Sequence, residues 1–212
     1  WGTSTISEGL KQITITGEGE LPSLSLEACQ STEIVILDDR ITSLASQSLY
    51  AMYSLKEVYL SDNIEFIGTY NFTVCPLLEK IHLDNNSKYE VIDNAKGLVN
   101  KQTKTLMFAA KDLIIPSFVE RIGSYAYHSS TIETLTIPEN ILYIDAYAFN
   151  NCSKLVELNL PTTLKEIGES AFNKCNALPF IVLPASLEKI GLSLAGNGTY
   201  RKLCYYGSMD MW

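Results

Sequence analysis

The sequence has no basic stretch. No run of Lys and Arg is longer than two residues, and 24 acidic side chains outnumber 16 basic ones, for a net charge of −8. Nucleic-acid binding needs a clustered cationic footprint, so that class is excluded. No apolar run approaches the roughly 18 residues that cross a bilayer, so no membrane insertion is expected of this segment. The chain starts at Trp1 with no Met and no basic-then-apolar leader, and it reads as a mature or trimmed chain. The missing signal peptide therefore says nothing about export. Charged residues are few, at 19%, and hydrophobic ones make up 46%. A chain of 212 residues with that balance buries a core in one or two domains and is not a disordered tail.

What the sequence does have is a repeat, and repeats are sought before motifs. The apolar pair Leu158/Leu160 in "LNLP" has counterparts 23 residues earlier at Leu135/Ile137 and 23 later at Ile181/Leu183. Val35/Leu37, Val58/Leu60 and Ile81/Leu83 step by the same 23, and Leu113/Ile115 and Cys204/Tyr206 join the series. Pro follows at Pro116, Pro138, Pro161 and Pro184. An apolar pair three apart comes next, as at Ile64/Ile67 and Leu164/Ile167. Gly68, Gly123, Gly168 and Gly191 follow, with Asp145 as the exception. Ala126-Tyr127, Ala148-Phe149 and Ala171-Phe172 then precede a Cys slot at Cys75, Cys152 and Cys175, which Met52 fills in its own unit.

One such unit cannot bury its apolar face, but stacked units bury a continuous core. Each is expected to run strand, Pro stop, short extended piece, Gly turn and one helical turn around Ala-Phe. A recurring cysteine is a rung of a core ladder, whereas a catalytic thiol is usually unique and needs a partner that lowers its pKa. The leading expectation is therefore buried, unpaired thiols. Bridging between rungs stays open if the chain is exported, with one left over from the odd count.

The unit L-x-x-L-x-L-P-x-x-L-x-x-I-G-x-x-A-F-x-x-C, as in Leu155–Cys175, resembles the BspA-type leucine-rich repeat of bacterial and some protozoan surface proteins. The resemblance runs from about Ser23 to the C-terminus. It implies a right-handed leucine-rich-repeat solenoid with a parallel β-sheet on one face and short extended and helical turns on the other. Gly9–Leu24 is similar to the family's N-terminal β-hairpin, and Leu203–Trp212 to its closing segment. The organisation expected is a hairpin-like cap over residues 1–24, a solenoid over 25–203 and a closing segment over 204–212. An irregular insertion at 85–110 should hold two short strands joined by "NKQTK".

No catalytic, cofactor or metal site emerges. His82 and His128 fall in different parts of different units, without further ligands at metal spacing. Outward carboxylates such as Glu57 and Glu157 are too many coils apart for a glycosidase pair, and the glycines form no phosphate loop. The sequons at Asn71, Asn85, Asn151 and Asn197 are short matches, and Asn71 sits in a tightly packed slot.

The remaining candidate is the strand face. One outward column reads Ile36, Tyr59, His82, Ile114, Thr136, Asn159, Val182, Tyr205; the other reads Ile34, Glu57, Lys80, Asp112, Thr134, Glu157, Phe180, Leu203. Exposed apolar and aromatic residues can mark partner sites, although such residues also simply suit strands. The candidate partner-binding residues are Ile34, Ile36, Glu57, Tyr59, Lys80, His82, Ile114, Asn159, Phe180 and Tyr205. The function expected is a non-enzymatic, secreted or cell-surface module that binds a protein on its concave sheet. The resemblance implies adhesion to a host extracellular-matrix protein. The alternatives are a glycan-binding surface, with Tyr59 and Tyr205 stacking on sugar, and a structural spacer presenting another domain.

Overall fold

The computed structural model describes residues 11–23, 30–194 and, as backbone, 203–205. The chain divides into two compact units between Lys101 and Gln102.

In the first unit the coils build two parallel sheets. Strands β1 (Gln12–Ile15), β3 (Ile34–Leu37), β5 (Glu57–Tyr59) and β7 (Lys80–His82) stack in parallel in that order. Strands β2 (Gly19–Leu21), β4 (Ile41–Leu44) and β6 (Phe66–Ile67) form a second parallel ladder. The period-two alternation of the strands sends Ile13, Ile15, Val35, Leu37, Val58 and Ile81 into the core. Among the described residues β1 pairs with β3 and β2 with β4, in separate ladders. Gln12–Leu21 therefore stacks as a coil on the next unit, while residues 1–10 and 24 of the expected hairpin-like cap lie outside the described residues.

The insertion differs by one strand. β9 (Gly97–Asn100) and β10 (Thr105–Ala109) are the two strands expected on either side of "NKQTK", and β8 (Tyr89–Ile92) is added, forming an antiparallel hairpin with β9. Asn86 organises its start. Its amide donates to the carbonyls of Asp62 and Ile64, and its oxygen accepts from the amides of Lys88 and Tyr89. The Tyr89 hydroxyl then accepts from the Ile67 amide at 3.1 Å and so ends the second ladder with a side chain.

In the second unit β10, β11 (Arg121–Ile122), β13 (Tyr143–Ile144), β15 (Glu166–Ile167) and β17 (Lys189–Ile190) stack in parallel. On the other face β12 (Thr134–Thr136) pairs with β14 (Glu157–Asn159), and β16 (Ile181–Leu183) with β18 (Leu203–Tyr205). Two expectations are corrected here. Residues 111–116, carrying Leu113 and Ile115, form no strand, because Asp112 adopts a left-handed backbone (φ 63) and Pro116 has no amide to donate. The last register is one residue short: Ile181 stands beside Leu203 and Leu183 beside Tyr205, so Leu203 and Tyr205, and not Cys204, take the backbone positions of the core column; Tyr206 lies outside the described residues.

The expected helical turns are also absent among the described residues. The segment around each Ala-aromatic step alternates left-handed residues into the chain: Tyr125 and Ser129, Tyr147 and Asn151, Ser170 and Lys174. A right-handed helix cannot pass through them. Their amides bond the neighbouring coil instead, as in Tyr127 N–H to Ala148 O at 2.9 Å, Phe149 N–H to Ala171 O at 2.8 Å and Asn151 N–H to Asn173 O at 2.8 Å. Each left-handed non-glycine residue costs about 1 kcal/mol, which this ladder offsets.

Inside the ladder Tyr127, Phe149 and Phe172 stack with centroids 5.0 and 5.2 Å apart. Ala126, Ala148 and Ala171 are buried beside them. The Cys152 thiol donates to the Tyr127 carbonyl at 3.0 Å and the Cys175 thiol to that of Phe149 at 3.1 Å. Cys75, Cys152 and Cys175 are buried thiols; the side chains of Cys29 and Cys204 lie outside the described residues. Burial pushes the Cys75 thiol up to about 12, and the neighbouring Cys175 thiol together with burial pushes Cys152 up. These are core groups and not nucleophiles. Tyr127 is the odd member of the stack: its hydroxyl is buried with no hydrogen-bond partner among the described residues. Leaving such a group unpaired costs about 1–3 kcal/mol.

The glycine column marks where coils touch. A Cβ on Gly168 would lie 2.3 Å from the Ala146 nitrogen, and one on Gly191 would lie 2.2 Å from the Glu169 nitrogen. No other residue fits that spacing.

Candidate functional site

The parallel register of the first unit lines up the outward side chains. Ile34 stands beside Glu57 and Glu57 beside Lys80; Ile36 stands beside Tyr59 and Tyr59 beside His82. Three of these residues lock together. The His82 Nε2–Glu57 Oε2 distance is 2.8 Å, the Tyr59 hydroxyl donates to the same Glu57 oxygen at 3.2 Å, and the Tyr59 and His82 rings stack at 4.1 Å with 9° between planes. The hydrogen bond from His82, opposed by partial burial and helped by the Tyr59 hydroxyl, holds the Glu57 carboxyl below its ordinary range. Glu57 is thus ionised at neutral pH and accepts from both partners. Burial first, and then the Glu57 charge, push the Tyr59 phenol up, so it stays a donor.

The result is an aromatic plate on an open face, with Tyr59 38% exposed. Lys80 is exposed beside it, and Ile34 and Ile36 are half-buried. Below the plate a column of alternating charge crosses the coils: Glu33 bonds Lys11 at 2.8 Å and Lys56 at 2.9 Å. This column was missed in the sequence, although its alternation of sign about one repeat apart was the signal.

The second unit repeats the arrangement with amide chemistry. The Asn159 amide donates to Glu157 Oε1 at 3.1 Å and, across the register, to Thr136 Oγ1 at 3.3 Å. Ile114 is 73% exposed but lies in the segment that forms no strand. Phe180 is 49% exposed, just before β16. Tyr205 stands in register with buried Leu183 and not with the outward Val182, so its backbone position is that of the core column; its side chain lies outside the described residues.

Chemically this face offers stacked aromatic rings, a carboxylate and an ammonium group on a fixed strand ladder. Among the described residues no group of three or more His, Cys, Asp or Glu could hold a metal. His128 does meet Ser129 Oγ through Nδ1 at 3.0 Å, and the Asn151 amide donates to the same oxygen at 2.9 Å. Burial, then Lys174, pushes the imidazole down. These residues tie adjacent turns of the ladder together. Asn71 is held likewise: its amide donates to the Ala45 and Gly68 carbonyls and its oxygen accepts from Leu49 N–H. No helix among the described residues is long and apolar enough to cross a membrane.

A family model described as "BspA type Leucine rich repeat region" matches in six copies over residues 7–95 and 107–199. The chain belongs to the BspA-type leucine-rich repeat family. The break between the two matched stretches falls inside the irregular segment at 85–110, as expected of BspA-type coils interrupted by a hairpin. No curated protein matches the sequence. Among solved structures, a leucine-rich cell surface protein from Faecalibacterium prausnitzii A2-165 is similar with a TM-score of 0.72 at 22% identity, over 95% of this chain and 61% of that one. The pneumococcal vaccine antigen PcpA is similar with a TM-score of 0.70 at 18% identity, over 90% of this chain and 51% of that one. At these identities the likeness is one of fold. The chain spans about three fifths of the first protein and half of the second.

Proposed function

We propose that this chain is a non-enzymatic protein-interaction module that works outside the cell, and that it docks an extracellular-matrix protein on the strand face of its first unit. The observation that carries the reading is the Tyr59–His82–Glu57 plate. A tyrosine already fixed by stacking and a hydrogen bond loses little rotamer freedom on binding, which is the main penalty an interface residue brings. Tyrosine is also among the residue types that dominate interface energy. Stacked coils hold the plate on backbone ladders, so partner contacts add up on a fixed scaffold. Membership of a surface-associated repeat family and fold neighbours described as a cell surface protein and a vaccine antigen favour the extracellular setting.

The test is an immobilised panel of extracellular-matrix proteins, probed with the wild-type chain and with Tyr59→Ala and Phe180→Ala variants. Binding to at least one protein, weakened about tenfold or more by Tyr59→Ala, is the expected result. Binding that both variants retain would move the site off this face. Silence across the panel would leave a spacer role.

A further inference from the structure

The strand face of the second unit opens where residues 111–116 fail to form a strand beside β12. A cavity of about 380 Å³ lies there, lined by Lys111, Asp112, Glu133 and Thr134 among others. Its most deeply buried lining residue is Tyr127, 2% exposed. We infer that this cavity binds a single hydroxyl-rich ring, the terminal sugar of a glycan, with the Tyr127 hydroxyl as its deepest polar contact.

Two independent observations meet at Tyr127. Its slot is filled by Phe in both following coils, at Phe149 and Phe172, with the same stacking. The core therefore does not need the hydroxyl, and that hydroxyl has no partner among the described residues. A destabilising polar atom kept at one rung of an otherwise apolar ladder is what a binding function would retain. The second observation is the cavity itself. Its volume falls at the small end of the roughly 300–1,000 Å³ of small-molecule sites, enough for one ring but not an extended chain.

The lining selects the chemistry. Asp112 and Glu133 supply acceptors, Lys111 donors, and Thr134 and Tyr127 either. A ligand that both donates and accepts around its rim matches all of them, which is the character of a sugar. Two carboxylates in the lining disfavour an anion, Lys111 offsets one of them, and no group of three or more metal-ligating side chains stands there among the described residues. An apolar ligand would leave the Tyr127 hydroxyl unpaired. The apolar wall from Ile132 suits the C–H face of the ring. This site goes beyond the protein-docking reading and stands or falls without it.

The probes are methyl glycosides of glucose, galactose, mannose, fucose and N-acetylglucosamine, titrated into the whole chain by heteronuclear NMR. At least one should shift the amides of Glu133 and Thr134, and Tyr127→Phe should weaken that binding about tenfold, the effect of one lost hydrogen bond to a buried partner. Asp112→Asn changes an exposed residue and should weaken it without touching the core, which keeps the test open if Tyr127→Phe perturbs folding. No amide shift with any glycoside would overturn the inference. So would equal affinity in wild type and both variants, or a crystal structure grown with the glycosides that shows only water on the Tyr127 hydroxyl.

Discussion

Gly168→Ala reverses the usual effect of its kind. Replacing glycine by alanine commonly stabilises a protein by about 0.4–1 kcal/mol where the backbone permits it, because the unfolded chain loses freedom. At Gly168 the added carbon would lie 2.3 Å from the Ala146 nitrogen and 2.5 Å from the Asp145 carbonyl carbon. Both are main-chain atoms and cannot rotate away, so the two coils must part by about an ångström. That movement strains Gly168 N–H to Ile144 O, now 2.7 Å, and the neighbouring Glu166 N–H to Leu142 O at 3.3 Å. Two weakened bonds at about 1 kcal/mol each, with overpacking at about 1–3, give a loss of about 3–5 kcal/mol. Asp145 shows that the column is not closed everywhere: it carries a side chain there, turned to Arg121 at 2.5 Å. The cost at Gly168 therefore comes from local coil spacing. Urea unfolding followed by circular dichroism reads it, with a lower midpoint and unchanged slope expected. A midpoint equal to or above wild type would refute the contact argument.

Three further outcomes are expected. Tyr127→Phe should raise stability by about 1–3 kcal/mol in ligand-free urea unfolding, since it removes an unpaired buried hydroxyl; a loss would mean the hydroxyl has a partner. Asp38 is held at about 2, below its ordinary 3.8, by the Arg40 side chain. Its contribution is therefore present above about pH 4 and lost as pH falls through about 2, and carboxyl NMR titration with and without Arg40→Ala should show the midpoint return towards 3.8. Cys75, Cys152 and Cys175, buried and with raised thiol pKa values at Cys75 and Cys152, should resist a thiol reagent at neutral pH until urea unfolds the chain; rapid labelling of any of them would contradict the ladder.

The repeat was legible because its slots are chemically narrow. Gly168 and Gly191 mark coil contact, Ala148-Phe149 and Ala171-Phe172 mark the stack, and Ile13, Val35, Val58 and Ile81 mark the strand interior. The turns were not legible because Tyr125, Tyr147 and Ser170 are left-handed without being glycine, and only the ladder between coils makes that conformation favourable. The slip at Leu203–Tyr205 escaped notice because Leu203/Tyr205 and Cys204/Tyr206 both alternate acceptably, and only pairing with β16 decides between them. For the candidate site the sequence placed Tyr59 and His82 in one column and Glu57 in the next. It could not show that one Glu57 oxygen joins both rings, because that depends on rotamers chosen across three side chains.

The most direct test of the docking reading is hydrogen–deuterium exchange of the chain with and without a captured matrix protein. Slowed exchange is expected in peptides covering β5 and β7, the strands that carry Glu57, Tyr59 and His82. Unchanged exchange there, with protection confined to residues 85–110 or to the second unit, would contradict it.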